Sequence, residues 1–534
     1  MATMFPCPNC GGQLRYWVPS GTLKCHSCGS EIGVDDYTPD DSITADQITT
    51  NIYTCSTCGG EIQLIDNDGM EFCPYCGNQT IMHERFSKQG APRFILPFML
   101  TKEDAGNRYN SATKKLPFAP DGLANKQNID RMVGLYTPYY LYDYSFNNRI
   151  SYNGTKSRRS GNYDIVDYAN VNVDVNYNDI YVPYDASQTL DDNIAGELEP
   201  FPMDKLKSFN PNYLAGYFVE NSTIDNQLYV DESHEKAVDI VYNRVVESAG
   251  GYKPQTQLGA GDALKNNVLN SLGWRGVSGA YLPLYFMTSK YNDRVAYSIV
   301  NGTNGKTYID MPIEKGKMFV AGVIASIISF IVILLATYSL GNSYQIKGLC
   351  AFAAMISSII SLTGAVLANK TYRMDNHLDD LGYFGTKENT QGIRGIKSKK
   401  SVSKNDFSLS VFFYMLVSFV IIAIVFNSTF IIQFPWGAIL YLASAFCVIV
   451  ALINVHKGRK KVMLLGILSW LLAIITRVLD MPNDIFYYGA LAVVFVVIIV
   501  SINAIVDEYN RFATHPSPQF LKRGGGLENA KDSI

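Results

Sequence analysis

The sequence predicts a multidomain chain: two small β zinc ribbons at the N-terminus, a tyrosine-rich α+β cytoplasmic domain, and an all-α six-helix transmembrane domain. Three observations carry this. Eight of the ten cysteines fall in the first 76 residues as four Cys-x-x-Cys pairs. The middle of the chain alternates apolar and polar residues at strand period, and Met318–Val506 is mostly apolar and breaks into six runs. A length of 534 residues has room for several such units. The net charge of −3 averages over a polar front and an apolar back. The expected boundaries are 1–48 for the first ribbon and linker, 49–90 for the second ribbon, 91–313 for the α+β domain, 314–506 for the helices, and 507–534 for a flexible cytoplasmic tail.

From the start of the chain, Cys7 and Cys10 are separated from Cys25 and Cys28 by fourteen residues, and Cys55 and Cys58 from Cys73 and Cys76 by the same spacing. Each cysteine is matched 48 positions on, so the front is an internal duplication. A Cys-x-x-Cys-Gly turn aims two thiolates at one point, and the glycine allows the backbone to turn with φ > 0. Two such knuckles complete a tetrahedral sulfur shell, and the spacer has the length of a hairpin and loop. The expectation is one structural zinc ion in each of two three-stranded ribbons, held by Cys7, Cys10, Cys25 and Cys28, and by Cys55, Cys58, Cys73 and Cys76. Iron of the rubredoxin kind suits the same knuckles, and a redox dithiol is disfavoured by four pairs rather than one. His26 and His83 are read as bystanders, since each set already has four sulfurs.

Residues 1–90 hold four bases against eleven acids, a net of −7. This front therefore lacks the lysine and arginine that displace counterions from phosphate, and nucleic-acid binding is not expected of it.

Phe94–Phe98 reads as a strand, and Thr101-Lys102-Glu103-Asp104 as a capping-box helix start. Gly134–Tyr142, Val171–Val175, Gly279–Phe286, Val295–Val300 and Lys306–Tyr308 are strand signals. Ser233–Ser248 carries Ala237, Val238, Val241 and Val245 at helical spacing. A Gly-x-Tyr-x-Pro-x-Tyr pattern occurs at Gly134 and again at Gly279, hinting at a duplicated unit, with Pro138 and Pro283 placed at edges or bulges. Gly302–Thr307 resembles the end of a phosphate loop, but Val300 stands where its first glycine belongs, and Asn304-Gly305 is a turn dipeptide. With no His-Glu-x-x-His and no Gly-x-Ser-x-Gly, no enzymatic activity is expected.

The six apolar runs are Phe319–Leu340, Leu349–Ala368, Val411–Ile432, Trp436–Val455, Val462–Leu479 and Tyr487–Val506, each near the roughly 20 residues that span a bilayer. Lysine and arginine gather on alternate loops, which predicts both termini in the cytoplasm. In that compartment the cysteines face metal rather than disulfides. Arg477, beside Asp480, is the ionisable residue deepest in these runs, an argument against ion-coupled transport.

Several segments together resemble a family of bacterial multi-pass membrane proteins with N-terminal zinc ribbons, often labelled after the ribbons of the primosomal helicase or of transcription factors. They are the Cys-Pro-x-Cys-Gly knuckles, Ile95–Phe98 with Thr101–Ala105, Tyr136–Asp143, Phe209–Tyr217, Val300–Lys306 and Pro518–Gly525. The resemblance implies a membrane anchor for cytoplasmic partners such as flotillin-like or phage-shock-type proteins in envelope-stress assemblies. The expected function is a non-enzymatic scaffold that presents its cytoplasmic domains to cytoplasmic and membrane proteins. The alternatives are a membrane-tethered nucleic-acid-binding regulator and a channel or lipid transporter.

Overall fold

The computed structural model describes residues 5–38, 47–55, 57–58, 61–64, 73–78, 83–120, 131–255, 260–322, 324, 346–384, 444–449, 451, 461–479 and 482–518. In chain order, strands β1 (Leu14–Trp17), β2 (Thr22–Cys25) and β3 (Glu31–Gly33) form a separate antiparallel sheet. Strands β4 (Gln47–Thr54), β5 (Glu61–Leu64) and β6 (His83–Gly90) form a second three-stranded unit, with β4 in the middle. Then come β7 (Phe94–Ile95), helix α1 (Lys102–Thr113), the long strands β8 (Val133–Ser160) and β9 (Tyr163–Asp185), and α2 (Asp192–Leu198). Strands β10 (Lys207–Ser208) and β11 (Phe218–Val219) flank a 3-10 turn at Pro211–Leu214. They precede α3 (Val230–Ser248), β12 (Lys253–Pro254), α4 (Ala260–Ser271), β13 (Leu272–Tyr291), β14 (Arg294–Asn301) and β15 (Thr307–Ile309). Helices α5 (Ile346–Asp375), α6 (Leu381–Phe384), α7 (Lys461–Leu479) and α8 (Asp484–Phe512) follow, then β16 (His515–Pro516).

One sheet of 13 strands dominates, with β8 and β13 at its centre. The two copies of the Gly-x-Tyr-x-Pro-x-Tyr pattern lie side by side in opposite directions: Gly134 faces Tyr285, Tyr136 faces Pro283, Pro138 faces Tyr281 and Tyr140 faces Gly279. The pairing is two-fold about Thr137 and Leu282, and it extends outward. Strand β7 runs parallel to β13 as β11 runs parallel to β8.

Both prolines sit inside the sheet, not at its rim. The carbonyl of Pro138 accepts from Ala186 just past the end of β9, and that of Pro283 accepts from Gly302 just past the end of β14. Each missing N–H thus faces the point where a neighbouring strand stops, so no ladder bond is lost.

Both faces of the centre are buried. One carries Tyr136, Tyr281 and Tyr285 against Ala105 and Tyr109 of α1 and the first three-stranded sheet. The other carries Leu135, Tyr139, Leu141, Leu282 and Leu284 against Ile194, Ala195 and Leu198 of α2. Beyond the register shift between Tyr144 and Phe146, β8 and β9 continue as a long hairpin past the end of β13, with the short β12 paired to β8 at Gly154 and Thr155. There Ile150 and Val175 pack on Val241 and Val245 of α3 and Val268 of α4. The tyrosines pack by their rings and hold loops by their hydroxyls: Tyr140 donates to Ile224 O at 2.9 Å, Tyr142 to Asn226 O at 3.1 Å, and Tyr285 to Leu100 O at 2.8 Å.

Local signals are realised where they were strongest. The Thr101 hydroxyl accepts from Asp104 N at 3.1 Å and the Asp104 carboxylate accepts from Thr101 N at 3.0 Å, closing a capping box on α1. Residues 301–306 form a turn, in which Asn301 N donates to Lys306 O and Gly305 has φ +74°.

The expectation of an all-α six-helix transmembrane domain is corrected. Among the described residues, two helices are long and apolar enough to cross a membrane, Ala353–Asp375 and Ile485–Phe512, and the chain is a mixed α/β protein built on a large curled sheet. The apolar part of α7, Leu464–Thr476, is a shorter stretch, and at 1.5 Å per residue it covers about 20 Å of the roughly 30 Å required. The first long helix is mostly buried, so its apolar character is also what a core helix needs. Residues 323, 325–340, 411–432, 436–443, 450 and 452–455 of the remaining runs lie outside the described residues. By length and composition these two helices are candidates for contact with a membrane; they do not support the expected six crossings with both termini cytoplasmic.

Of the expected C-terminal tail, residues 507–518 are described and packed against the rest of the chain, and residues 519–534 lie outside the described residues. Helix α8 continues to Phe512, and β16 pairs with β14 through Arg294 opposite Pro516 and Val295 opposite His515. Arg294 holds this junction: its guanidinium reaches Asp375 Oδ1 at 2.7 Å, Thr514 O at 2.6 Å and Arg511 O at 2.9 Å. It therefore binds the C-terminal ends of α5 and α8 to the sheet.

Candidate metal centres

Each knuckle is shaped by its backbone. Cys7 N donates to Gly12 O at 2.6 Å and Gly11 N to Cys7 O at 2.8 Å, while Cys25 N donates to Ser30 O and Gly29 N to Cys25 O, both at 2.9 Å. In the second unit Cys73 N donates to Asn78 O at 3.0 Å and Gly77 N to Cys73 O at 2.9 Å. Gly11, Gly29 and Gly77 have φ of +72°, +77° and +67°, which a side chain would strain.

These turns gather the eight cysteines into two sets. Cys7, Cys10, Cys25 and Cys28 form one, and Cys55, Cys58, Cys73 and Cys76 the other, with the Sγ atoms of each set within 4.8 Å of one another. The Cys7–Cys28 and Cys10–Cys25 separations are 3.7 and 3.5 Å, and Cys55–Cys76 and Cys58–Cys73 are both 3.7 Å. A disulfide needs about 2.05 Å, whereas a tetrahedron with zinc–sulfur distances of about 2.3 Å has edges of about 3.8 Å. All eight cysteines are free, and both sets have the donors and spacing to hold zinc.

The electrostatics fit a cation as well. The Ser30 hydroxyl, 3.1 Å from Cys28 Sγ, and the Ser30 backbone N–H push the Cys28 thiol down to about 6. Cys73 is driven far up, chiefly by the sulfurs of Cys55 and Cys58 beside it and then by the rest of the set and burial. Four thiolates this close cannot all ionise without a positive ion, so metal entry releases protons. Access differs between the sets: Cys10 and Cys28 are exposed, while all four sulfurs of the second set are buried. His26 lies edge-on to Trp17, with ring centroids 6.2 Å apart, and outside the sulfur set.

Both sets are seated on the sheet domain. Phe5, Leu14, Tyr16, Leu23 and Val34 share one apolar core with Tyr136, Tyr213 and Leu214. Asn212 Nδ2 donates to Val34 O at 2.7 Å and Tyr37 O at 2.8 Å, and Tyr16 N donates to Ala215 O at 3.0 Å. Gly216, at φ +82°, lies so close to Arg15 that a β-carbon would sit 3.1 Å from its Cγ. Phe209–Tyr217 is thus the clasp of the first ribbon. On the second unit the Thr288 hydroxyl donates to Pro74 O, and Val219 of β11 pairs with Gln63 of β5. The buried Glu220 accepts from the Ser187 and Thr189 hydroxyls, with the Tyr75 hydroxyl of the second knuckle beside it. Sequence reasoning missed Asn212, Thr288 and Glu220; the asparagines flanking Pro211 were the available signal, since Asn side chains bond nearby backbone in turns.

Fold and site together define a mixed α/β protein with two four-cysteine clusters, both candidate zinc sites, and one or two apolar helices. The chain is similar to the uncharacterized protein YdjG of Bacillus subtilis (strain 168), 24% identical over 327 residues that make up 60% of this chain and 92% of that protein. No family model and no solved structure matches the chain.

Proposed function

We propose that the protein is a non-enzymatic, membrane-associated scaffold. Two structural zinc ions staple its ribbons to the sheet domain, apolar helices hold it at a bilayer, and the outer surface of the sheet domain meets cytoplasmic and membrane proteins, flotillin-like or phage-shock-type partners among them. The observation that carries this is closure of the sulfur sets: four cysteines leave no open coordination position for a substrate, and the second set is buried outright. Helix α8 supports the bilayer contact, since Ile485, Phe495 and Val496 are each more than half exposed. The free thiols support a reducing setting for the sheet domain in this reading. Because the first ribbon is clasped by Phe209–Tyr217, partners are expected on the surface that the assembled ribbons and sheet share rather than on a ribbon swinging free.

The test is affinity purification of the full chain from detergent-solubilised membranes, beside an unrelated membrane protein and a Cys58→Ser, Cys73→Ser variant. The reading expects a defined set of proteins at near-stoichiometric yield that is lost or depleted with the variant. Recovery of no protein above the control would remove the scaffold role.

A further inference from the structure

A third cluster of metal-ligating groups lies away from the cysteines, where the chain returns from α5 to the sheet. Asp191 is the N-cap of α2, and His377 and Asp380 belong to the turn between α5 and α6. One donor atom from each of the three lies within 4.8 Å of the others, and His377 Nδ1 is 3.5 Å from Asp380 Oδ2. For metal–donor distances of about 2.1 Å, cis and trans donors stand about 3.0 and 4.2 Å apart, so these positions need little adjustment to close on an ion.

The surroundings are crowded with carboxyl groups that no lysine or arginine of the described residues pairs. Asp185, Asp191, Asp192 and Asp380 interact with one another, and among the described residues none of the four is ion-paired with a lysine or arginine. Hydrogen bonds serve part of the group: Asp192 accepts from Tyr229 Oη at 2.6 Å and Leu381 N at 2.8 Å, Asp380 from Tyr383 N at 3.0 Å, and Asp191 from Asn193 N at 2.8 Å. Two buried atoms are left over. Asp185 is 1% exposed and its Oδ2 has no hydrogen-bond partner, and His377 Nδ1 has none either. A buried carboxylate oxygen without a donor, set among three other carboxyl groups, is costly: without an ion the group keeps a proton, and an entering cation displaces that proton and completes the set.

We propose that Asp191, His377 and Asp380 ligate one divalent first-row cation, with Asp185 balancing its charge, and that the ion clamps the segment after helix α5 to the sheet domain. Two carboxylates and one imidazole select an ion of the manganese or zinc kind over a soft one, and the site is chemically distinct from the all-sulfur sets. It is not part of the scaffold reading above and stands whether or not that reading does.

The experiment titrates Mn2+ into the detergent-purified full chain with its ribbons zinc-loaded, following the free-ion signal by electron paramagnetic resonance. Mn2+ does not displace zinc from four thiolates, so it reports this site alone. The expected result is one bound Mn2+ per chain, competed by added Zn2+, with affinity at least about 10-fold weaker in Asp191→Asn and in Asp380→Asn. Both changes lessen buried charge and preserve shape, so the variants are expected to fold. The control Asp379→Asn, whose carboxylate pairs with Arg373 outside the cluster, is expected to bind as the parent does. No loss of free-ion signal up to about 1 mM Mn2+, or loss that is equal in parent and Asp380→Asn, would overturn the assignment.

Discussion

Replacing Asn212 by alanine is expected to open the first ribbon without unfolding the sheet. Asn212 is buried, and its amide donates to Val34 O and Tyr37 O; Asn210 Nδ2 of the same Phe209–Tyr217 clasp also donates to Val34 O, at the longer distance of 3.4 Å. The variant keeps the fold of the clasp, because Asn212 N still donates to Asn210 Oδ1. What is lost is the partner of Tyr37 O and the shorter of two bonds to Val34 O, which keeps the Asn210 amide. At about 1–3 kcal/mol for a group left unsatisfied, a total of about 2 kcal/mol is expected, a factor of about 30 in the opening equilibrium. Hydrogen exchange by mass spectrometry reads this directly: amides of Leu14–Trp17 and Thr22–Cys25 are expected to exchange about 30-fold faster, while those of Gly134–Tyr142 keep their protection. Unchanged exchange in the ribbon, or equal acceleration in both regions, would refute the view that this asparagine is a local clasp.

Three further outcomes follow. Arg294→Ala removes a guanidinium that is 11% exposed and holds Asp375, Arg511 O and Thr514 O together; it is expected to cost about 3–5 kcal/mol and to make residues 511–518 sensitive to limited proteolysis. Glu220 is pushed up to about 7 by burial, against about 4.3 in an unfolded chain. The folded state thus keeps a proton that the unfolded state has released, and this group makes stability fall as pH rises from about 4.3 to about 7, with no further change above. Glu220→Gln is expected to remove that slope and to raise stability at pH 8 by up to about 3 kcal/mol, checked by denaturant titration at pH 5 and pH 8. Cys73→Ser leaves three sulfurs for the second ion and is expected to lower sulfur-bound zinc from two ions to one per chain and to expose β4–β6 to exchange, while the first ribbon keeps its metal.

The cysteine sets were legible because metal geometry is written in short local spacings: Cys-x-x-Cys-Gly fixes a knuckle whatever surrounds it. The capping box at Thr101, the helix carrying Val241 and Val245, and the turn at Asn304-Gly305 are local in the same sense. The membrane block was not, since an apolar run such as Leu349–Ala368 has the same composition whether lipid or protein covers it, and the described helix there is mostly buried. Pairing across distance was equally hidden. Asp191 and His377 are far apart in sequence and meet only because α5 ends where β9 gives way to α2. The two Gly-x-Tyr-x-Pro-x-Tyr copies were visible as a repeat, but their mutual antiparallel pairing needed the sheet.

The central claim is that two closed, all-sulfur zinc centres staple the front of the chain. X-ray absorption at the zinc edge on the purified Asp380→Asn chain, in which the proposed carboxylate–imidazole site is disabled, combined with metal analysis, addresses it most directly. The account predicts two zinc ions per chain, each with four sulfur neighbours at about 2.3 Å. Oxygen or nitrogen in that shell, iron in place of zinc, or cysteines recovered as disulfides from protein prepared under reducing conditions would contradict it.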